Sequence, residues 1–153
     1  MDLILWRHAQ AQEPGEDIED LARALTPKGR KQARRMAQWL EQVLPTSCRI
    51  LVSPALRTVQ TAAALGRQYR LCEEIGPGAD ADTLLQAARW PDSRSPVLLV
   101  GHQPALGEVA ARLLTGQAGE MAIRKGCVWW IAGREDGDGN VLRAVVCPDL
   151  ARK

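Results

Sequence analysis

The sequence lacks any long hydrophobic run, and nowhere does it approach the roughly 18 consecutive apolar residues that would predict a membrane-spanning helix. It also lacks a charged leader followed by an apolar stretch, because Met1 and Asp2 run directly into a strand-like segment. No charge of one sign dominates, since 20 Lys and Arg residues face 18 Asp and Glu residues. These absences predict a cytoplasmic protein that binds neither nucleic acid nor a membrane and whose function depends on a local site. They indicate no particular oligomeric state.

The sequence has no C-x-x-C pair among its four cysteines, which are Cys48, Cys72, Cys127 and Cys147. Three of the four lie in apolar, strand-like runs, and this placement is typical of buried thiols. We therefore expect reduced cysteines, as in a cytosolic protein, in preference to a disulfide or a metal site. The sequence predicts neither a metal nor a cofactor.

The length of 153 residues and the hydrophobic content of 46% predict a single domain over residues 1–153. Apolar runs alternate with helical patterns as far as about Gly116, and strands are predicted over residues 3–6, 49–52 and 96–100. Four helices are predicted: from Thr26-Pro27 to Leu44, from Ser53-Pro54 toward Tyr69, from Leu84 to Trp90, and from Pro104 to Gly116.

The end of the chain changes to a strand pattern. Residues 127–131 and 141–147 are apolar and flank the turn-forming residues 136–140, which predicts a β-hairpin. Together with the preceding alternation, this predicts an α/β fold. We expect a three-layer sandwich with a mostly parallel central sheet, an antiparallel C-terminal strand or hairpin, and helices on both faces.

Chemically active side chains follow three of the predicted strands. Arg7 and His8 end the first, Ser53 begins a helix that carries Arg57 after the second, and His102 follows the third. The carboxyl ends of parallel strands meet at one edge of a sheet, so these groups are expected to converge. Forked arginine donors match the oxygens of a tetrahedral phosphate, and an imidazole can donate to that group or attack its phosphorus.

Four motifs carry a resemblance to a known family: residues 5–9 (LWRHA), 25–29 (LTPKG), 53–62 (SPALRTVQTA) and 100–104 (VGHQP). In this order they resemble the histidine phosphatase superfamily and, within it, the short SixA-type phosphohistidine phosphatases. The resemblance implies that His8 attacks the phosphoryl group and is transiently phosphorylated. It implies that Arg7, Arg57 and His102 hold the non-bridging oxygens without a metal.

Two positions depart from the family pattern. Ala9 replaces the glycine that most often follows the histidine, and Gln103 stands where acid phosphatase branches have an aspartate general acid. Mutase-like branches place a glutamate later in the chain, but Glu73 and Glu74 are better interpreted as surface charges in a loop. Imidazole is a better leaving group than an alkoxide, so the lack of a clear acid favours phosphohistidine as the substrate.

The segment between Arg57 and His102 has room for a short helix and a strand but not for an inserted lid domain. An open site suits a phosphorylated protein, such as a histidine-containing phosphotransfer domain or another signalling protein. A small-molecule phosphomonoesterase and a non-catalytic phosphate-binding module remain alternatives. The basic residues from Lys28 to Arg35 are interpreted as the solvated face of the first long helix, in preference to a docking surface.

Overall fold

A six-stranded mixed sheet lies at the centre of the protein. The computed structural model describes residues 1–134 and 139–151. Its strands are β1 (Asp2–Arg7), β2 (Arg49–Val52), β3 (Arg70–Leu71), β4 (Val97–Gly101), β5 (Val128–Gly133) and β6 (Asn140–Val146). The spatial order is β3-β2-β4-β1-β5-β6. The first four run parallel to one another, whereas β5 pairs antiparallel with both β1 and β6, as the sequence predicts.

Four helices cover the two faces of this sheet: α1 (Pro27–Val43), α2 (Leu56–Ala63), α3 (Ala81–Ala88) and α4 (Ala105–Thr115). On one face, Met36 and Leu40 of α1 pack against Ile4 and Trp6 of β1. On the other, α3 and α4 pack against the alternate residues of the same strand, Leu3 and Leu5. Because β1 is buried on both faces, it reads as a continuous apolar run. The three-layer prediction is confirmed.

None of the helices described over residues 1–134 and 139–151 has the length and apolar character needed to cross a bilayer.

Two helices differ from the sequence prediction. Helix α2 ends at Ala63 and does not continue toward Tyr69, because Gly66 adopts a positive φ of 71° and turns the chain into β3. Strand β3 has two residues, both exposed, so it leaves no apolar run in the sequence. Helix α3 begins at Ala81, where the Asp80 side chain caps it by accepting from the Thr83 N–H, and it ends before Trp90.

The C-terminal hairpin is present, since β5 and β6 pair antiparallel from Val128↔Val146 to Gly133↔Asn140. An irregularity between Trp130 and Ile131 shifts the register within this pair. The predicted turn spans residues 136–140, of which 136–138 lie outside the described residues.

The prediction of four reduced cysteines is wrong for one pair, because Cys127 and Cys147 form a disulfide. These residues immediately flank the paired Val128 and Val146, so the hairpin places them opposite each other. A sequence without a known register cannot show this juxtaposition. Cys48 and Cys72 are free. The cysteine pattern therefore gives no support for a reducing compartment.

The first turn of α1 lies against the chain that follows β1. Thr26 caps the helix by accepting from the Gly29 N–H at 3.0 Å, as predicted. A Cβ at Gly29 would lie 1.9 Å from the Gln10 carbonyl oxygen, so only glycine permits this close approach. The Gln10 N–H also donates to Gln32 Oε1 at 2.9 Å. Helix α1 is thus fixed beside the segment containing His8.

Gly29→Ala should lower the free energy of unfolding by about 2 kcal/mol, because the new methyl group meets backbone that cannot rotate away. Intrinsic helix propensity alone would raise the free energy of unfolding by about 1 kcal/mol, so a decrease identifies the steric cause. Urea unfolding of the wild type and of the variant measures the change. The matched control is Gly15→Ala, whose Cβ has no atom within 4 Å and which should change stability by less than about 0.5 kcal/mol. Equal effects of the two substitutions would contradict the close-approach argument.

Candidate active site

Three adjacent parallel strands end at one edge of the sheet and bring the predicted residues together. In the register of β1 and β4, Arg7 pairs with Gly101, and the following His8 N–H donates to the Gly101 carbonyl at 3.2 Å. On the other side of β4, the Ser53 N–H donates to the Val100 carbonyl at 3.1 Å. His8, His102 and Ser53 therefore leave neighbouring strands at the same level.

The His8 ring is buried, with 6% of the residue exposed. Its Nδ1 lies 2.7 Å from the carbonyl oxygen of Ala9. A carbonyl oxygen only accepts hydrogen bonds, so in the neutral ring Nδ1 carries the hydrogen and Nε2 keeps its lone pair. The backbone next to the ring thus selects the tautomer that a nucleophilic Nε2 requires.

The environment of His8 disfavours its protonated form. Burial lowers its pKa to about 4, and the charges of Arg57, Arg7 and Lys125 act in the same direction. The hydrogen bond to Ala9 opposes these effects. The charges of the neighbouring arginines thus help to keep the imidazole unprotonated, and burial is the largest cause.

The second histidine lies beside the first, with ring centroids 5.4 Å apart. His102 is also buried, and its Nε2 is 2.7 Å from the Ser53 hydroxyl oxygen, which fixes the plane of the ring. Burial, followed by the charge of Arg57, lowers the pKa of His102 to about 3. Both imidazoles are therefore neutral at pH 7.

The two arginines are held from opposite sides of the site. Arg7 Nη1 donates to the Ile123 carbonyl at 2.9 Å. Arg57 is 3% exposed, and its Nη1 and Nη2 donate to the carbonyl oxygen and carboxylate of Asp20 at 2.8 and 3.2 Å. These contacts fix both guanidinium groups before any ligand binds.

Each guanidinium has a buried Nε–H that lacks an acceptor. Among the side chains of residues 1–134 and 139–151, Nε of Arg7 and Nε of Arg57 are the buried nitrogen or oxygen atoms that lack a hydrogen-bond partner. A buried cationic N–H without an acceptor is costly, and an oxyanion at the site would satisfy it. The same residues provide no cluster of three or more His, Cys, Asp or Glu side chains suited to a metal ion.

One hydroxyl connects the His8 segment to the helix that carries Arg57. Thr61 Oγ1 accepts from the Ala9 N–H at 3.1 Å and donates to the Arg57 carbonyl at 2.7 Å. The Ala9 side chain is fully buried in a small cluster with Ala11, Leu25 and Ala33. The departure from glycine at position 9 is thus accommodated by packing.

The sequence does not predict Asp20, Thr61 or Ile123 as site residues, and it predicts Ser53 at the site without a role. Ser53 and Thr61 lie within the motif of residues 53–62. Their positions relative to β2 and Arg57 are the sequence features that could have indicated a place in the site. Asp20 lies in a segment predicted to be a loop. Burial acts to raise the pKa of Asp20, but the charge of Arg57 and the hydrogen bonds from both arginines outweigh it, so the pKa is lowered. Asp20 is therefore a carboxylate that positions Arg57, not a proton donor.

The residues that match other branches' general acids are engaged elsewhere. Gln103 accepts from the Gly107 N–H at 2.8 Å and donates to the Met121 carbonyl at 2.9 Å, which ties α4 to the following segment. Glu74 accepts from Cys72 Sγ at 2.7 Å and lines a cavity with Arg49 and Arg70. Neither residue supplies a proton beside His8.

This combination of residues and fold matches known proteins. The family model described as histidine phosphatase superfamily (branch 1) matches residues 3–77. Phosphohistidine phosphatase SixA of Escherichia coli K12 is 31% identical over 130 residues, which cover 79% of each chain. The chain belongs to the histidine phosphatase superfamily.

Further comparisons agree with this membership. An uncharacterised protein from Picosynechococcus sp. is 38% identical over 128 residues, covering 78% of this chain and 76% of that one. The solved structure of the protein histidine phosphatase SixA complexed with tungstate superposes with a TM-score of 0.77 at 24% identity, covering 97% of this chain and 98% of that one. The protein is a SixA-type histidine phosphatase by family and fold. The roles of His8, Arg7, Arg57 and His102 stay predictions.

The unused guanidinium donors predict tight binding of a tetrahedral oxyanion. Arg57→Lys replaces a planar fork with a single ammonium and should weaken tungstate binding about tenfold or more, measured by calorimetric titration. The matched control is Arg67→Lys, because Arg67 pairs with Glu41 on the surface and should leave the affinity unchanged. Equal affinities of wild type and Arg57→Lys would contradict the proposed anion site.

The lowered histidine pKa values predict acid sensitivity. An unfolded histidine titrates near 6.5, whereas His8 and His102 titrate at about 4 and about 3. As the pH falls from 6.5 to 4, the unfolded chain takes up protons that the folded chain does not, so the free energy of unfolding falls. The double variant His8→Gln/His102→Gln lacks both titrating groups. The number of protons taken up on unfolding should therefore fall by up to about two. Urea unfolding followed by tryptophan fluorescence at pH 6.5, 5.5 and 4.5 measures the slopes. Parallel slopes for wild type and variant would contradict the assignment.

Proposed function

We propose that this protein is a metal-independent phosphatase that removes phosphate from phosphohistidine in a phosphotransfer or signalling protein through a phosphorylated His8. The observation that carries the proposal is the neutral His8 ring with its Nε2 lone pair, placed among Arg7, Arg57 and His102. The similarity to SixA, a phosphohistidine phosphatase, supports the substrate class.

In the first step, the Nε2 lone pair of His8 forms a bond to phosphorus. The bond between phosphorus and the substrate imidazole breaks, and its electron pair returns to that imidazole, which takes a proton from solvent. Arg7 and Arg57 turn their free Nε–H groups to the non-bridging oxygens, where negative charge is concentrated during transfer. Because their Nη groups are already fixed, little reorganisation accompanies the reaction.

In the second step, water attacks the phosphorus of phosphorylated His8. The water oxygen bonds to phosphorus and gives up a proton to solvent, while the bond from phosphorus to Nε2 breaks and phosphate leaves. The ring regains its lone pair, and the Ala9 carbonyl still holds the Nδ1 hydrogen. His102 keeps its ring beside that of His8 through the Ser53 hydroxyl and contributes to holding the phosphoryl oxygens. Every bond formed and broken is accounted for without a metal.

The surroundings of the site favour a nitrogen leaving group over an alkoxide. Gln103 is hydrogen-bonded to the backbone of Gly107 in α4 and of Met121. Glu74 lines a different cavity, and Asp20 is ionised. An alkoxide needs a general acid to leave, whereas a substrate imidazole needs less assistance. These contacts support phosphohistidine in preference to a phosphate monoester.

The elements between Arg57 and His102 support access by a protein. Over this stretch the chain completes α2 and forms β3, a 3-10 turn, α3 and β4, all of them part of the sandwich. We propose that the domain works without a lid, so that a histidine projecting from a partner protein reaches His8.

His8→Ala should lower the rate of dephosphorylation of a histidine-phosphorylated phosphotransfer domain by about a thousandfold or more, because the attacking nitrogen is lost. Release of radiolabelled phosphate measures the rate, with Arg67→Ala as a surface control. Rapid quenching of the wild type should trap acid-labile, alkali-stable phosphate on the protein, and none on His8→Ala. EDTA should not change the wild-type rate.

Equal rates for wild type and His8→Ala would overturn the proposal. A parallel panel of sugar and nucleotide monoesters separates the alternatives, because faster turnover of a monoester would indicate a small-molecule phosphatase. Tight binding of the phosphorylated domain with no release of phosphate would indicate a binding module.

A further inference from the structure

A basic cavity lies directly beside Arg7. Its volume is about 510 Å³, and its lining includes Arg7, Lys28, Arg124, Lys125 and Pro148. Lys125 is close enough to His8 for its charge to contribute to the lowered pKa of that histidine. The cavity therefore borders the candidate active site at Arg7.

A second, smaller cavity of about 240 Å³ extends this surface along α1. It shares Lys28, Gln32, Pro148 and Asp149 with the first cavity and adds Lys31 and Arg35. Lys28, Lys31 and Arg35 are spaced at i, i+3 and i+7, which places them on one side of the helix. We name the combined surface the basic groove and define it by its five cations: Lys28, Lys31, Arg35, Arg124 and Lys125.

The position of the groove relative to His8 is fixed by the fold. Gln32, between Lys31 and Arg35, accepts from the backbone N–H of Gln10, two residues beyond His8. Pro148 lies over Gly126, whose N–H donates to the carbonyl oxygens of both Arg7 and His8. A molecule seated in the groove therefore has a defined orientation toward the nucleophile.

The charges of the groove have no internal compensation. None of its five cations forms a salt bridge with a carboxylate of residues 1–134 or 139–151, and Asp149 is the one acidic residue that lines it. Four other arginines are paired with carboxylates: Arg23, Arg67, Arg112 and Arg143. The formal net charge of the whole chain is only +2, so the groove is a local concentration of positive charge suited to an anionic partner.

The segment that holds Arg57 carries the opposite charge. Arg57 is bound there by Asp20, and the preceding segment exposes four more acidic residues, Glu13, Glu16, Asp17 and Glu19. A uniformly anionic ligand, such as nucleic acid or an anionic bilayer, would be repelled where it extends over that segment. A protein can place acidic residues on one side of its phosphohistidine only, so this asymmetry favours a protein partner.

We propose that the basic groove docks acidic residues of the partner protein that lie on one side of its phosphohistidine. The proposal rests on the proposed phosphohistidine phosphatase function and adds the chemistry by which the partner is recognised. The groove is adjacent to the reacting groups but outside them, so it acts on encounter and binding. Its effect appears in KM and in salt dependence, while the transfer step stays with His8.

The test uses two synthetic peptides that carry one phosphohistidine and differ only in four flanking residues, which are glutamate in one and glutamine in the other. Wild type should show a kcat/KM roughly fivefold higher for the glutamate peptide at low salt, carried mainly by KM and lost at high salt. Lys31→Glu/Arg35→Glu should bring this ratio to about one or below.

The matched control reverses two charges at the same spacing on the same helix. Arg30 and Arg34 are exposed on α1 but line neither cavity, so Arg30→Glu/Arg34→Glu should keep the wild-type ratio. Because both double variants change the net charge equally, a difference between them isolates the groove from long-range attraction. Urea unfolding confirms that both variants are folded.

The outcomes separate this inference from the function on which it rests. If wild type hydrolyses neither peptide, the phosphohistidine function fails and the docking proposal fails with it. If wild type hydrolyses both peptides with equal kcat/KM, or if the groove variant and its control behave alike, the function stands and the docking proposal is overturned. Inhibition by duplex DNA or phosphatidylserine vesicles that only the groove variant loses would assign the groove to another polyanion and also overturn it.

Discussion

The parallel register of β1 and β4 is the constraint on which the site depends. Arg7 is paired with Gly101, so the next residues, His8 and His102, leave the sheet side by side. This register is strongly specified because both strands are buried on both faces, and a shift by one residue would move every apolar side chain of β1 to the wrong layer. The hydrophobic core that stabilises the sandwich thus also sets the distance between the two imidazoles.

Around this pair, the chain uses backbone atoms to prepare the charged groups. The Ala9 carbonyl sets the tautomer of His8, and the Ile123 and Asp20 carbonyls hold Arg7 and Arg57. Backbone acceptors are placed by the fold itself and do not titrate, whereas the Asp20 carboxylate, which also holds Arg57, does. The groups available to a ligand include the buried Nε–H of each arginine and one lone pair on His8.

The sequence predicts the central strands well because β1 and β4 are continuous apolar runs with a histidine or an Arg-His pair at the end. It predicts that Arg57 joins them because a short motif places it one turn into the helix predicted from Ser53. It cannot predict Asp20 as the partner of Arg57, since a carboxylate in an irregular segment has no periodicity that indicates its position. The sequence does not predict strand β3, because two residues are too short to show a pattern. It does not predict the Cys127–Cys147 disulfide, because that pairing depends on the register of a hairpin. The basic face of α1 is exposed as predicted, but its junction with Arg124 and Lys125 arises only when the chain folds.

The hydrogen bond between His8 Nδ1 and Ala9 has a thermodynamic consequence under the proposed function. With Nδ1 occupied, phosphorus passes from one imidazole nitrogen to another, so the bond broken and the bond formed are of the same kind. The transfer is then close to balanced in free energy, and the energy stored in the substrate is kept in the phosphorylated enzyme until water arrives. The irreversibility of the cycle resides in hydrolysis, and any partner histidine that reaches the site before water could carry the phosphoryl group away again.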